Sequence, residues 1–461
     1  MIRNLKLKKL PSSYTDSSIC VMGLGYVGLT LAVTLADIGF KVYGIEIKDD
    51  ILNKLKKGVP HFFEPGLEGR LKSVKKSQNL KIYKEIPENC DSTIFIITVG
   101  TPIDENNKIK KEMIENVSKE ISLHLKDKDL VILRSTVEVG TTAYLDERIF
   151  RKTGKSYEIA FCPERTIEGK AMVELRQLPQ IIGSESINTS SRVSQFFSFM
   201  TPTIVRVSSK ETAELIKLID NSQRDVSFAL SNEIAEISDA YSISAYEVIS
   251  SGKLGYPRTN LPLPGPVGGP CLEKDSYILK NGLKKKNYVP KIIMSSRNIN
   301  EMQPKKSISL LHKVSKKFFN KNGLRITLAG LAFKGEPETN DLRGTMAKPI
   351  YSEIIKRFSK SQVMFYDPLV KAKEIQEYFS IKNCVFTDNL KDSFQNCHIY
   401  IICNNHQMFN VISISSLSEK MCKPGIIFDY WNNFTNQNIN YPNSIYYVGL
   451  GGLGKLIKEL N

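Results

Sequence analysis

Short apolar runs, each leaving into a stretch rich in glycine, proline or hydroxyl residues and then into a helix-periodic segment, recur along this chain. Residues 19–22, 41–45, 92–99, 130–133 and 159–162 read as strands whose near-continuous apolar character belongs to a parallel sheet covered on both faces. Beyond about residue 305 the pattern returns, with strands at 325–331, 363–366, 398–403, 426–429 and 446–448, and with residues 339–343 opening a helix. Between the two sets, residues 210–250 carry apolar positions at helical spacing, from Ala213, Leu215 and Ile216 through Phe228, Leu230, Ile234 and Ile237. That spacing predicts one long helix. Two α/β patterns joined by helix imply a cleft between them.

The first loop sharpens the fold class. The strand at 19–22 runs into Gly23-Leu24-Gly25-Tyr26-Val27-Gly28 and then a helical run, which is GxGxxG between strand and helix. Gly23 would make the tight turn, Gly25 let the backbone reach a pyrophosphate, and Gly28 allow close helix packing, with the helix N-terminus facing the phosphates. The second strand ends on Glu46, where a carboxylate can accept both ribose hydroxyls and repel a 2′-phosphate, so NAD rather than NADP is expected. The expected fold is α/β, two Rossmann-like doubly wound domains joined by a long central helical segment. It divides into a lead-in (1–17), an NAD-binding domain (18–205), a central helical domain carrying the catalytic loop (206–304) and a second α/β domain (305–461).

Composition narrows the setting. In 461 residues, 41% are hydrophobic and 24% charged, no apolar run reaches the roughly 18 residues of a membrane span, and residues 1–18 lack a signal peptide's apolar stretch, so the expected location is cytoplasmic and no membrane partner is expected. Eight cysteines without CxxC and five histidines without HxxxH signal neither a disulfide framework nor a metal site. The net charge of +16 is dispersed and comes with no nucleic-acid module, which favours polyanionic small molecules over nucleic acid.

The candidate chemistry centres on residues 261–275, LPLPGPVGGPCLEKD. Its glycines, Gly268 among them, and its four prolines predict a loop allowing close backbone approach. The loop delivers Cys271, followed by Lys274, a cation that favours thiolate, and Asp275, a carboxylate that can handle protons. Hydroxyl-bearing loops follow two strands, with Thr101 in one and Thr136 in the other. Another strand leads to Pro163-Glu164-Arg165-Thr166-Ile167-Glu168, where both glutamates read as solvent-seeking charges at the sheet edge. Lys217 and Asn221, four apart, share one helical face and form a paired donor set for an oxygen that develops negative charge. The helix carrying them has an apolar face suited to a second subunit.

The combination GLGYVGL, STV, CPER, KLxxN, GGxCLxKD and GLAFK, spread over residues 18–451, resembles the UDP-glucose/GDP-mannose dehydrogenase family, NAD-dependent enzymes that oxidise C6 of a nucleotide sugar to a carboxylate. The resemblance implies Cys271 as nucleophile, Lys217 and Asn221 as oxyanion donors, Asp275 as proton-handling partner, and Glu168 with Thr136 positioning water. It places Gly23, Gly25, Tyr26, Val27, Gly28, Glu46, Thr101, Thr136, Glu164 and Lys274 on the cofactor. It places Glu164, Arg165, Lys217, Asn221, Gly268, Phe333, Lys334 and Arg343 on the UDP-sugar, and Arg258 on a neighbouring subunit's sugar, in a homodimer or larger assembly. PGPVGGPC is one residue shorter than the commoner PGxGxGGxC spacing. CPER, GGP and SSRNINEMQP look like the branch acting on UDP-N-acetylhexosamines, for surface polysaccharide, whereas CLEKD and Glu168 look like the UDP-glucose branch. A two-electron 3-hydroxyacid dehydrogenase, or a non-catalytic NAD-binding protein, would leave Cys271 and its neighbours unexplained.

Overall fold

A computed structural model describes residues 10–104, 107–319, 323–381, 384–434 and 439–460; the first nine residues of the expected lead-in lie outside these. The chain forms two compact units, one holding the residues up to Asp220 with Tyr277–Val289, the other Asn221–Ser276 with Pro290 onward.

The first unit is built on an eight-stranded sheet of β1 (Ser18–Met22), β2 (Lys41–Ile45), β3 (Leu80–Tyr83), β4 (Ile94–Ile97), β5 (Leu130–Leu133), β6 (Glu158–Phe161), β7 (Gln180–Gly183) and β8 (Ile204–Val207). Its order is β3-β2-β1-β4-β5-β6-β7-β8; the first six strands are parallel, β7 pairs antiparallel with β6, and β8 runs parallel to β7. The second unit holds a wholly parallel sheet of β9 (Arg325–Ala329), β10 (Gln362–Tyr366), β11 (Val385–Thr387), β12 (Ile399–Ile402), β13 (Gly425–Asp429) and β14 (Ile445–Gly449), in the order β11-β10-β9-β12-β13-β14. The six strands of the second sheet thus repeat the order of the first six of the first. Alternation of side chains across each strand fills both faces. Ile19 and Val21 enter one apolar cluster while Cys20 and Met22 enter another. In the second sheet Ile399 and Ile401 lie opposite Tyr400 and Ile402 in the same way.

The helices that matter for the site are α1 (Tyr26–Ile38), α2 (Lys210–Tyr241), α3 (Ala245–Lys253), α4 (Gly269–Leu283), α5 (Lys291–Phe318, with Pro304 inside) and α6 (Ala347–Arg357). Three expectations are corrected here. The helix expected over 210–250 is two helices, because Ser242 turns left-handed (φ 57°) and the Ser244 hydroxyl caps α3 by accepting from Glu247 N at 3.3 Å. The loop expected over 261–275 ends at Gly268, because Pro270 sits in the first turn of α4, where a missing N–H costs nothing and its fixed φ suits a helix. Residues 339–343 open no helix: Asp341 is held in a turn by the Thr339 hydroxyl, and α6 starts only at Ala347. No helix among the described residues is long and apolar enough to cross a membrane.

Candidate active site

In the first unit the strand order reverses between β1 and β4, the place where an open α/β sheet leaves a crevice beyond its strand ends. Gly23 turns the chain with φ +90°, and a Cβ on Gly28 would lie 1.8 Å from the Gly23 carbonyl oxygen, so α1 can start so close to β1 only with glycine there. A Cβ on Gly25 would meet nothing within 4 Å, which leaves the N-terminal turn of α1, with Tyr26 and Val27, open to an anion. Beyond β2, the buried Glu46 accepts Leu24 N at 3.2 Å on one oxygen and Lys48 N at 3.0 Å on the other. A carboxylate offers about four acceptor positions, so two remain for ribose hydroxyls. These residues fit the adenosine diphosphate part of NAD.

The neighbouring loops are tied to one another. Thr101 Oγ1 donates to Thr136 O at 2.5 Å and Ser135 Oγ to Val99 O at 2.7 Å, which joins the loops after β4 and β5. Glu164 is not a solvent-seeking charge: it is buried and takes Arg134 Nη2 at 2.6 Å and Nε at 3.1 Å, with Arg165 N and Thr166 N on its other oxygen. Burial alone would push this carboxyl up, and the Arg134 charge together with the Thr166 N–H bond holds it below the ordinary value instead. Arg134 also reaches Cys162 O and Gln180 Oε1. Arg165 leans on Asp220 at 3.3 Å and on Pro179 O. The half-buried Glu168 precedes Gly169, whose N–H donates to Glu64 Oε2 at 2.7 Å and to Tyr26 OH at 2.9 Å, while Tyr26 OH donates to Glu64. Glu64 was invisible in the sequence, since it stands 105 residues from the loop it holds. Glu214, near the start of α2, is another such residue: it accepts Gly140 N, Thr142 N and Thr142 Oγ1, and burial raises its carboxyl to about 7.

Lys217 and Asn221 are both buried and lie one turn apart on α2. In the second unit, Asn221 Nδ2 donates to Asp275 Oδ2 at 2.5 Å, and Asp275 is 1% exposed. Asp275 follows Cys271 by four positions on α4, so the two share a face, with the half-buried Lys274 one position short of Asp275. Cys271 is exposed in the first turn of α4, where backbone N–H groups make the positive end of the helix. The preceding backbone packs tightly: a Cβ on Gly268 would lie 2.1 Å from Gly344 O, one on Gly269 would lie 2.4 Å from the Phe333 ring, and Gly269 N donates to Gly344 O at 2.8 Å. The segment carrying Cys271 therefore meets the exit loop of β9, which holds Phe333 with the Lys334 ammonium 5.4 Å from its ring centre. Arg343, in the same loop region, is paired with Asp341 at 2.5 Å. Arg258 instead packs on Tyr256, 4.4 Å from the ring centre. Beyond β10, Asp367 stands where Glu46 stands beyond β2, and accepts Leu331 N, Ala332 N, Leu369 N and Val370 N.

Models of three domains match the chain: the NAD binding domain of the UDP-glucose/GDP-mannose dehydrogenase family at residues 17–201, its central domain at 211–302 and its UDP binding domain at 327–436. A UDP-N-acetyl-D-mannosamine dehydrogenase of Methanococcus aeolicus is 31% identical over 453 residues, 96% of this chain and 98% of that protein. The structure of a UDP-D-ManNAc dehydrogenase from Pyrococcus horikoshii superposes with a TM-score of 0.83 at 29% identity, covering 95% of this chain and 100% of that one. A UDP-glucose dehydrogenase from Pyrobaculum islandicum shares the fold, with a TM-score of 0.82 at 21% identity, over 96% of this chain and 100% of that one.

Proposed function

The chain belongs to the UDP-glucose/GDP-mannose dehydrogenase family, and from that premise we propose that it oxidises C6 of a UDP-N-acetylhexosamine, UDP-N-acetylmannosamine or UDP-N-acetylglucosamine, to the uronate. The observation that carries this reading is the exposed Cys271 on the first turn of α4, on one face with a buried Asp275 that Asn221 holds. NAD, used twice, supplies the oxidant by accepting a hydride at each of the two oxidations. The Cys271 sulfur adds to the C6 aldehyde as a thiohemiacetal, which the second oxidation converts to a thioester, and water then releases the acid and the thiol. Overall one CH2OH, two NAD and one water give one carboxylate, two NADH and three protons.

Each remaining residue has a role in this scheme. Lys217 and Asn221 donate to the oxygen that gains charge when sulfur or water adds. Asp275 takes up and returns the protons, and Glu168 with Thr136 orients the hydrolytic water. Gly23, Gly25, Gly28 and Glu46 hold the cofactor, assisted by Tyr26, Val27, Thr101, Glu164 and Lys274. Gly268, Phe333, Lys334, Arg343 and Arg165 hold the UDP-sugar. The protein acts in the cytoplasm, for surface polysaccharide, as a homodimer or larger assembly in which Arg258 reaches a neighbouring sugar site; exposed Leu215, Ile219, Leu230 and Ile237 on α2 support pairing with a second copy.

The test is the count of NADH per sugar across UDP-N-acetylmannosamine, UDP-N-acetylglucosamine and UDP-glucose. Two NADH with an N-acetylhexosamine is expected. Two with UDP-glucose alone would move the substrate, one would make the reaction a two-electron oxidation, and none would leave a binding protein.

A further inference from the structure

Among the largest fully buried side chains of the described residues is an arginine that the scheme above does not use: Arg297 on α5, 1% exposed. Its guanidinium donates to Asp225 Oδ1 on α2 at 2.8 Å, to Leu272 O at 3.1 Å and to Val267 O at 3.3 Å, and its Nε lies 3.3 Å from Glu301. Val267 and Leu272 bracket the four residues that end in Cys271. The grip continues through side chains. Asn300 Nδ2 donates to Asp225 Oδ1 and to Asp225 O, Asn300 Oδ1 accepts Asn232 Nδ2 at 2.9 Å, and Asn232 holds both N and O of Gly265 at 3.0 Å. One connected network of Asp225, Asn232, Arg297 and Asn300 thus fixes the backbone on both sides of the sulfur. The guanidinium reaches these acceptors from two nitrogens held in one plane, Nη1 to Asp225 and Leu272 and Nη2 to Val267, a spread that the single nitrogen of a lysine ammonium does not reproduce.

We propose that Arg297 is the positioning residue for Cys271: it sets the backbone at Val267 and Leu272 so that the sulfur stays aimed from the first turn of α4. This rests on Cys271 being the nucleophile. A sulfur displaced by about 1 Å from its line of attack loses on the order of tenfold or more in rate while the cofactor still binds. Loss of the grip also frays the first turn, which takes the sulfur away from the positive helix end and slows its alkylation.

Arg297→Lys, in the intact protein, is expected to lower kcat by about tenfold or more with KM for NAD unchanged. It is also expected to slow carboxymethylation of Cys271 by iodoacetamide, read by peptide mass spectrometry, by about threefold or more. Arg297→Ala should regain part of its activity with methylguanidinium and none with methylammonium. Unchanged kcat with unchanged or faster alkylation overturns the proposal, as does an activity loss equal to the unfolded fraction seen by circular dichroism. If the Arg297 variants do not fold, Asp225→Asn gives the same readout: it keeps the shape of the network and removes the charge that orients the guanidinium, so intermediate losses are expected and none overturns the idea. Cys271→Ala separates the two readings. If it still yields two NADH per sugar, the nucleophile assignment falls; if it is dead while Arg297→Lys behaves as wild type, only the positioning role falls.

Discussion

The second sheet and the first six strands of the first share one strand order and hold their first loops in the same manner, and the carboxylates that do so differ in what they leave over. Glu46, past β2, accepts one backbone N–H on each oxygen, Leu24 N and Lys48 N. Asp367, past β10, accepts two on each, Leu331 N and Ala332 N on Oδ2, Leu369 N and Val370 N on Oδ1. With about four acceptor positions on a carboxylate, Asp367 is filled by its own backbone, whereas Glu46 keeps capacity for hydroxyl groups from outside. Repetition of a fold therefore does not repeat a site. The first sheet presents a dinucleotide cradle, and the second offers an exit loop carrying Phe333 and Lys334 over a carboxylate that is purely structural.

The largest effect should come from a residue on neither sheet. Cys271→Ser is expected to cut uronate formation by about 10³-fold or more, because a hydroxyl is a far poorer nucleophile at neutral pH and an ester a slower acyl carrier. NAD affinity, measured by fluorescence titration, should stay within about twofold, since the cradle at Gly23, Gly25, Gly28 and Glu46 is untouched. A parallel loss of NAD binding would break the separation of cradle and chemistry.

Next in size is the contrast between the two carboxylates. Asp367→Asn replaces one acceptor oxygen by an amide donor, so two buried N–H groups lose their partner at about 1 to 3 kcal/mol each. A clear fall in stability to urea is expected, with NAD affinity unchanged. Glu46→Gln deprives only one N–H of its acceptor, and that of the exposed Lys48 can turn to water, so the loss of stability should be smaller, with NAD affinity about tenfold weaker and discrimination against NADP reduced, because the repulsion of a 2′-phosphate is gone. If Asp367→Asn weakened NAD and Glu46→Gln did not, the two sheets would have to exchange roles.

The smallest effect concerns pH. Glu214 has its carboxyl raised to about 7 by burial, with the bonds from Thr142 and Gly140 opposing. Unfolded, it would lose its proton near 4.5, so between those values the folded chain holds more protons. Its contribution to stability is complete below about 4.5 and is lost as pH rises through about 7. From pH 6 to 8 this amounts to about 1 kcal/mol. Glu214→Gln should flatten the fall in Tm over that range by a degree or two in differential scanning calorimetry, and an identical slope in both proteins would remove Glu214 as its source.

How much of this could be read from the chain depends on how far apart the partners are. The strand at 130–133 was legible because burial on both faces makes it apolar throughout, and in the strand at 41–45 only the exposed Lys41 at its start breaks the buried run. The glycine loop was legible because its geometry is local: Gly28 answers to Gly23, five residues away. Leu80–Tyr83 and Ile204–Val207 were not, since LKIY and IVRV are short strands at the sheet edges whose polar residues face water. Pro270 misled in the other direction, because proline breaks a helix interior but begins a helix well. Arg134 and Glu64 gave no signal at all, and Arg297 entered only as one letter of the SSRNINEMQP resemblance, with nothing to announce its burial. Each is a buried charge whose partner lies 30 to 105 residues off, and nothing in a neighbouring residue announces such a pairing.

Of the eight cysteines, five are buried and Cys271 alone is exposed, and that exposure has a cost besides its use. On the proposed role, the sulfur that meets the sugar aldehyde is equally open to peroxide, and at the positive end of a helix it would climb from sulfenic to sulfinic acid ahead of its buried neighbours. Bound substrate would shield it. The supply of nucleotide sugar would then govern not only how fast this enzyme works but how long each copy survives oxidative stress.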